Sequence, residues 1–397
     1  MSSSDVSRFR WLVLAIFVLS TAINYLDRTT LAQLAAPISD EFHLTNAQYG
    51  LVLTAFFVPY ALAAPFAGWL IDTIGLSWAA SLAVGLWSLA GIATGFSRNL
   101  TALVICRAVL GLAEAAGIPA AAKAIHQYLR PAERSLGNAL NQMGVSVGIM
   151  AATPLATGLA LWKGWRTAFI VTGLLGLLWI PVWNLVARIV PVSPLPKAAP
   201  GSRVDMRLDR RLWTFFVANA LSMVGYSLWS GWTPKYLMSV HHLTLAQVQW
   251  YTWIPPLCAL LGGLLGGWLS LRLVNRGMPA LAARFRVCLL TSVISLATFV
   301  LPFATHPAWS CAAISLSFAA VAAFSVNMYS MPLDAFGGAR AAFAVSFLTA
   351  SAGAIAATIS YPIGRIVDLH GYTPVTCVAA VTPLAACAVL WGTRSVR

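Results

Sequence analysis

Charge is scarce in this sequence. Only 9% of its 397 residues are Asp, Glu, Lys or Arg, against about 25% in soluble proteins. That excludes the long charged faces that keep a soluble chain of this length dispersed. Acidic residues are rarest, eleven against twenty-five Lys and Arg. The six cysteines, Cys106, Cys258, Cys288, Cys311, Cys377 and Cys387, show no paired spacing. They read as small apolar packing residues with no disulfide or metal role. The six histidines show no metal-ligand spacing either, so no metal and no cofactor are expected. No Gly-x4-Gly-Lys-Ser/Thr loop is present, which excludes ATP as a direct drive. No cleavage site of small residues follows the first apolar stretch, so it reads as a retained span and not a secretory signal.

Apolar length is plentiful: 59% of the residues are hydrophobic. Stretches of roughly 20 or more apolar residues recur along the chain, each long enough to cross a bilayer. They begin near Trp11, Ala47, Ser77, Leu100, Ser135, Trp165, Leu212, Leu245, Ala282, Ala308, Ala341 and Thr373. The expected class is an all-α integral membrane protein of about twelve spans. The net charge of +14 is unevenly placed. Arg8 and Arg10, Lys123, Arg130 and Arg134, Arg203 to Arg211, Arg272 to Arg286, and Arg394 and Arg397 fall in alternate loops. This is the positive-inside pattern, so both termini are expected in the cytoplasm and the chain in the cell (inner) membrane, with lipid as its surroundings. Nucleic acid is excluded as a partner, because the basic excess serves topology. No obligatory protein partner is evident.

The chain repeats itself. His43-Leu44-Thr45-Asn46-Ala47-Gln48 returns as His242-Leu243-Thr244-Leu245-Ala246-Gln247, and Gly68-Trp69-Leu70 returns as Gly267-Trp268-Leu269, both at an offset of 199 residues. Two six-span bundles in the same orientation follow, residues 1–188 and 212–397, joined by a Pro- and Arg-rich cytoplasmic linker, 189–211. Two such halves can rock about a site near the midplane. Gly111, Gly117, Gly144, Gly148, Gly262, Gly263, Gly266 and Gly267 are candidates for close helix contacts.

Four charges lie at membrane depth. Asp27-Arg28 interrupts the first apolar segment, and Arg107 and Glu114 interrupt the fourth. Each costs at least a few kcal/mol unless it faces a polar cavity or a partner. Arg107, Gly111 and Glu114 share one helical face. Antiparallel spans would bring Asp27, Arg28 and Arg107 to similar depth, with Glu114 about 10 Å deeper. Cations beside protonatable carboxylates read as a site for an anionic solute coupled to protons. The alternative is a structural ion pair, Arg107 with Glu114, or an Asp27 that holds Arg28.

The stretch Asn24-Tyr25-Leu26-Asp27-Arg28 resembles the first-helix motif of the anion:cation symporter family, within the major facilitator superfamily. So do the run Cys106-Arg107 to Glu114 and on to Ala120, then Arg130-Pro131-Ala132-Glu133-Arg134-Ser135 and Gly164-Trp165-Arg166, in family order. The second half matches less densely, at Trp232-Thr233-Pro234-Lys235-Tyr236-Leu237 and Trp253-Ile254-Pro255. The members most alike are bacterial hexuronate and galactonate proton symporters.

The resemblance implies that Arg28 and Arg107 hold a substrate carboxylate. It also implies that Asp27 and Glu114 couple protons and that Tyr25 and Tyr60 line the cavity. Guanidinium suits that grip because it binds a carboxylate in a planar, two-pronged way and stays charged. Three regions depart from the family pattern. Gln142 stands where an asparagine is usual, helix seven lacks a dense aromatic run but keeps Trp229, and Ser346, Thr349 or Ser351 replace asparagines in helix eleven. Gln142, Trp229, Ser346 and Ser351 are the candidates for the substrate's hydroxyl-bearing end. In Gly68-Trp69-Leu70-Ile71-Asp72-Thr73-Ile74-Gly75 the superfamily's Gly, Asp, Gly spacing is kept without its basic residues. Asp72 is the candidate gating residue, or else part of a tight helix end.

The function implied is a secondary transporter that imports an organic anion, a hexuronate or an aldonate, with protons by alternating access. An exchanger on the same scaffold, or a symporter for a non-sugar carboxylate, is the alternative. An intramembrane enzyme would want a nucleophile with its base, or metal ligands on facing helices, and neither is present.

Overall fold

A computed structural model of the protein describes residues 3–129, 134–189, 210–336 and 338–391. Among these residues it is entirely helical. The α-helices in chain order are α1 (Ser3–Gln33), α2 (Ala35–Phe42), α3 (Asn46–Ile74), α4 (Leu76–Gly95), α5 (Leu100–Glu114), α6 (Gly117–Tyr128), α7 (Arg134–Lys163), α8 (Trp165–Ile189), α9 (Arg210–His241), α10 (Leu245–Thr252), α11 (Ile254–Asn275), α12 (Ala280–Ser295), α13 (Pro307–Phe336), α14 (Gly338–His370) and α15 (Thr373–Trp391), with a 3-10 stretch, Leu296–Phe303, after α12. Twelve helical stretches among the described residues are long and apolar enough to cross a membrane. They fall where the hydrophobic runs place them. α5 and α6 form one span broken after Glu114, and α10 and α11 form another, broken at Trp253.

The duplicated hexapeptide has a local physical meaning. His43 and His242 both take the left-handed conformation, with φ of 51° and 55°. In each copy Thr and Gln then form a capping box on the next helix: the backbone N–H of Gln48 donates to Thr45 Oγ1 and that of Gln247 to Thr244 Oγ1. The side-chain oxygens of Gln48 and Gln247 accept in return from the backbone N–H of Thr45 and Thr244. The repeat therefore encodes a reversal followed by a fresh helix start.

The chain divides into two compact units, 1–44 with 55–197, and 45–54 with 198–397. Residues 190–209 of the stretch expected to be a linker lie outside the described residues. Residues 45–54 depart from a simple halving of the sequence: the first third of α3 belongs with the second unit.

Within the first unit α4 packs on α8 and α1 on α7; in the second, α11 packs on α13, and α9 on α14 and α15. In lipid there is no hydrophobic drive between helices, so close backbone approach matters most. Gly144 and Gly148 lie against the α1 backbone at Val18 and Ala22. Gly262 and Gly266 lie against α13 at Ala319 and Ala323. Gly111 of α5 lies against the backbone of Phe56 on α3, with no room for a β-carbon. A Gly111→Ala chain should therefore lose about 1–3 kcal/mol through overpacking. The measurement is the thermal midpoint in detergent, with Gly158→Ala, where a β-carbon meets nothing within 4 Å, as the control that should not fall.

On the end of the first unit opposite the N-terminus, the Trp165-Arg166 pair pins α2. Glu41 Oε2 accepts from Trp165 Nε1 at 2.6 Å and from Arg166 Nη1 at 2.8 Å. Arg166 Nη2 also donates to the Ser97 carbonyl at 3.2 Å. Partial burial alone would raise the proton affinity of Glu41. The two hydrogen bonds and the Arg166 charge outweigh it and hold the carboxyl below its ordinary value.

Candidate functional site

The intramembrane charges on α1 and α5 come together, in a pairing that spacing alone does not give. Arg28 reaches Glu114: Nε and Nη2 both donate to Glu114 Oε2, at 3.1 and 2.9 Å. The direct bond is Arg28 with Glu114; Glu114 Oε1 and both Asp27 oxygens accept no hydrogen bond, so the pairings Arg107 with Glu114 and Asp27 with Arg28 are not seen as direct bonds. Two features account for this. Glu114 is the last residue of α5, before a two-residue break, and Pro119 has no N–H to offer the Ala115 carbonyl. A carboxylate at the negative end of a helix dipole is disfavoured, and a guanidinium there is favoured. Arg28 supplies that cation.

Arg28 sits among aromatic faces. Its guanidinium carbon is 4.8 Å from the ring centroids of Tyr25, Phe56 and Tyr60. Phe56 and Tyr60, one helical turn apart on α3, are stacked at 5.7 Å with an interplanar angle of 22°. Cation–π attraction adds about 0.5–2 kcal/mol per favourable face. Glu114 is fully buried, whereas the Arg28 side chain keeps 20% of its surface accessible. With Nε and one Nη2 proton turned to Glu114, its Nη1–Nη2 edge retains donors for a second carboxylate. Glu114 Oε1 is buried and accepts no hydrogen bond.

Asp27, on the neighbouring face of α1, is buried, and neither of its oxygens is hydrogen-bonded by distance and angle. It lies beside Thr172, within range of the charges of Arg107 and Glu114. Arg107 is 1% exposed and stands 5.4 Å from the Phe169 ring centroid. The first unit thus holds two linked charge groups, Arg28 with Glu114 and Asp27 beside Arg107. Burying one unpaired charge costs several kcal/mol, so a gain or loss of one proton here has a large effect on the others.

The remaining candidates are placed differently. Gln142 is exposed on α7. Asp72 lies in the last turn of α3 and Ser346 on α14, and their side chains fall outside the described residues, as do residues 130–133 of the family-like motif. Trp229 and Ser351 belong to the second unit and are engaged there. Trp229 Nε1 donates to Ser317 Oγ at 3.2 Å. Ser351 Oγ accepts from Asn219 Nδ2 at 2.8 Å and donates to the Leu348 carbonyl. Asn327 is also tied down, donating to the Gly266 and Ala323 carbonyls. Sequence reasoning missed Phe56, the third ring around Arg28, although its helical spacing of four from Tyr60 was a usable signal. It also missed Lys235, a buried cation 4.8 Å from the Tyr49 ring centroid. A lysine next to a proline near a span end reads as an interfacial anchor, so its burial had no signal.

Comparison with known proteins agrees with this architecture. A hexuronate transporter of Escherichia coli (strain K12) is 26% identical over 410 residues, covering 97% of this chain and 94% of that protein. A probable sulfoacetate transporter of Cupriavidus necator is 29% identical over 349 residues, covering 83% and 80%. Among solved structures, a bacterial homolog of the human lysosomal transporter Spinster, in an inward-facing and occupied conformation, superposes with a TM-score of 0.77. It has 21% identity and covers 96% of this chain and 94% of that one. The sequence profile of the Major Facilitator Superfamily matches residues 17–361, and with twelve helical stretches among its described residues long and apolar enough to cross a membrane this protein belongs to that superfamily of multi-pass membrane transporters.

Proposed function

We propose that the chain is a proton-coupled symporter of the anion:cation symporter type. It carries an organic anion, in the first place a sugar acid such as a hexuronate or an aldonate, by alternating access. Both termini lie in the cytoplasm, as the basic loops require. The observation that carries the reading is Arg28: a guanidinium held by Glu114 and three rings, with one donor edge left over. A substrate carboxylate docks on that edge, and Arg107 is the second cation that makes the region attractive to an anion. Asp27 and Glu114 are the two positions where a proton can replace an arginine as the partner of a carboxylate. Proton and substrate then compete for, or reinforce, the same cations. Asp72 is the proposed gating residue, and Gln142 and Ser346 remain proposed contacts of the hydroxyl end. Trp229 and Ser351 have the weaker case, since both are already hydrogen-bonded within the second unit.

The test is competition in proteoliposomes, against a labelled hexuronate, with and without an imposed proton gradient. Hexuronate and galactonate should compete strongly and the neutral hexose weakly. The hexose leaves the guanidinium donors without a charged partner, a difference of about 1–3 kcal/mol or more. Equal competition by the neutral hexose would refute the carboxylate grip. A preference for a short unhydroxylated acid would keep the grip and reject the sugar. That second reading, a non-sugar anion, is favoured by the relative named for sulfoacetate. Uptake indifferent to the proton gradient would favour an exchanger.

A further inference from the structure

Two buried polar atoms beside the Arg28–Glu114 pair lack a partner, and they are of opposite kind. Asn24 is 5% exposed and its Nδ2 donates no hydrogen bond. The Glu114 side chain is fully buried and its Oε1 accepts none. Leaving a buried donor or acceptor unmade is costly, and native structures satisfy nearly all of them with protein or with ordered water. The chain sets these two on successive levels. Arg28 and Asn24 are one turn apart on α1. Ala115 and Ala116, which separate α5 from α6, keep right-handed helical torsions, φ −56°, ψ −23° and φ −80°, ψ −14°. Gly117 therefore falls one turn beyond Glu114. At one level Arg28 bonds Glu114; at the next Asn24 faces Gly117.

The step between levels is about 5.4 Å. Two hydrogen bonds of about 2.8–2.9 Å, end to end, span nearly that length, so a single water bridges it. There is room for one. A β-carbon on Gly117 would meet Asn24 Nδ2 at 3.5 Å, Asn24 Cγ at 3.8 Å and Trp87 Cζ3 at 3.9 Å, all ordinary contacts. The glycine thus leaves a space one carbon wide against the Asn24 amide, and a water oxygen is no larger. Gly117 has no left-handed φ, so the backbone does not call for glycine here. The start of α6 adds to the site. No side chain caps its N–H groups, and the positive end of the helix dipole favours an oxygen there. A buried water needs two to four polar partners. Here it accepts from Asn24 Nδ2 and donates to Glu114 Oε1, with one hydrogen and one lone pair to spare. The charged and titratable groups that face Glu114 are Arg28 and Asp27 of α1, Arg107 of its own helix, and the phenols of Tyr25 and Tyr60 beside Arg28. α4 and α6 meet the site with Trp87 and Gly117, which do not titrate.

We propose that the break between α5 and α6 binds one ordered water, held by Asn24 and the start of α6 against the free oxygen of Glu114, and that Glu114 exchanges its proton through this water. The exchange rests on the symporter reading; the water site does not. In loading, a hydronium ion of the aqueous phase gives a proton to the free lone pair of the bound water, as that water passes one of its own hydrogens to Oε1. The bound water is regenerated, the hydronium becomes water, and the carboxylate becomes a carboxylic acid. Release is the reverse. Asn24 and Gly117 are positioning residues in this scheme: one holds the water and the other leaves it space.

Two measurements on the full-length protein test it. The first is difference infrared spectroscopy of reconstituted protein through a pH step that ionises Glu114, in ordinary and in heavy-oxygen water. Wild type should show a water O–H band that shifts with the oxygen isotope. Gly117→Ala, whose β-carbon takes the place of the water without a clash, should lose that band. No such band in wild type, or an unchanged one in Gly117→Ala, overturns the site. The second compares rates in proteoliposomes. In Gly117→Ala, uptake of labelled hexuronate driven by a pH gradient should fall at least about fivefold more than counterflow, which moves no net proton. A packing defect would slow both alike, so equal losses overturn the exchange. Gly117→Ser carries a hydroxyl that can stand in for the water and should restore most of the lost ratio; a serine as poor as the alanine also overturns the exchange. The infrared measurement needs no substrate. If no anion is carried while the band is present and lost in Gly117→Ala, the transport reading has failed and the water site has not.

Discussion

An Arg28→Ala chain is expected to bind the organic anion at least about 30-fold more weakly. Removing one member of a buried, hydrogen-bonded charge pair costs about 2–5 kcal/mol. Here the loss includes both the donor edge offered to the substrate and the partner of Glu114. Arg28→Lys should fail nearly as badly. An ammonium cannot turn two N–H groups to Glu114, keep a planar edge for a second carboxylate and lie among three rings at once. Arg107→Ala should weaken binding too, because the region loses its second cation. Because an unpaired Glu114 threatens folding, the informative companion is Arg28→Ala with Glu114→Gln, which removes both charges together. It should run as a monodisperse peak on size exclusion and still show no heat of binding by calorimetry. Near-normal affinity in both Arg28→Ala and Arg107→Ala, on folded protein, would sink the anion site.

The second large effect separates coupling from binding. Glu114→Gln keeps an oxygen for Arg28 but has no proton to release. Counterflow, which needs no gradient, should stay within about threefold of wild type, under about 0.7 kcal/mol. Accumulation driven by a pH gradient should fall by at least about tenfold, about 1.4 kcal/mol. Asp27→Asn is the matched comparison. Its carboxyl makes no hydrogen bond, so the substitution leaves the Arg28 cluster in place and should also abolish accumulation. If Glu114→Gln accumulates normally and Asp27→Asn does not, Asp27 alone carries the coupling proton. If both accumulate normally, the protein is an exchanger.

Much of the fold was legible because lipid imposes one rule, that the backbone satisfy itself. Runs of about 20 apolar residues then announce helices directly. The duplicated His-Leu-Thr-x-Ala-Gln announced a repeated local structure, and its chemistry, a left-handed residue and a capping box, explains why those letters recur. The four intramembrane charges were legible by their expense. Their partners were not. Spacing relates residues along one helix, so it put Glu114 with Arg107; the Arg28–Glu114 bond depends on how α1, α3 and α5 are rotated against each other. One determinant of that rotation, Gly111 under the Phe56 backbone, is invisible until the helices are packed. Hydroxyls were the least legible. Serine in an apolar helix reads equally as a ligand group or as a bond to its own preceding turn. Ser351 donates to the Leu348 carbonyl and accepts from Asn219.

The sharing of α3 between the two units bears on how the chain comes together during synthesis. The ribosome delivers residues 45–54 long before the surface that receives them. Until α9 and α14 are inserted, Tyr49 has no Gly231 carbonyl to meet, and the start of α3 must rest on its capping box alone. A gene severed at the linker would give a first fragment carrying an orphaned turn, and a second fragment without Tyr49, whose Oη donates to the Gly231 carbonyl and whose ring meets Lys235. Such fragments would be expected to rescue one another only when made in the same membrane.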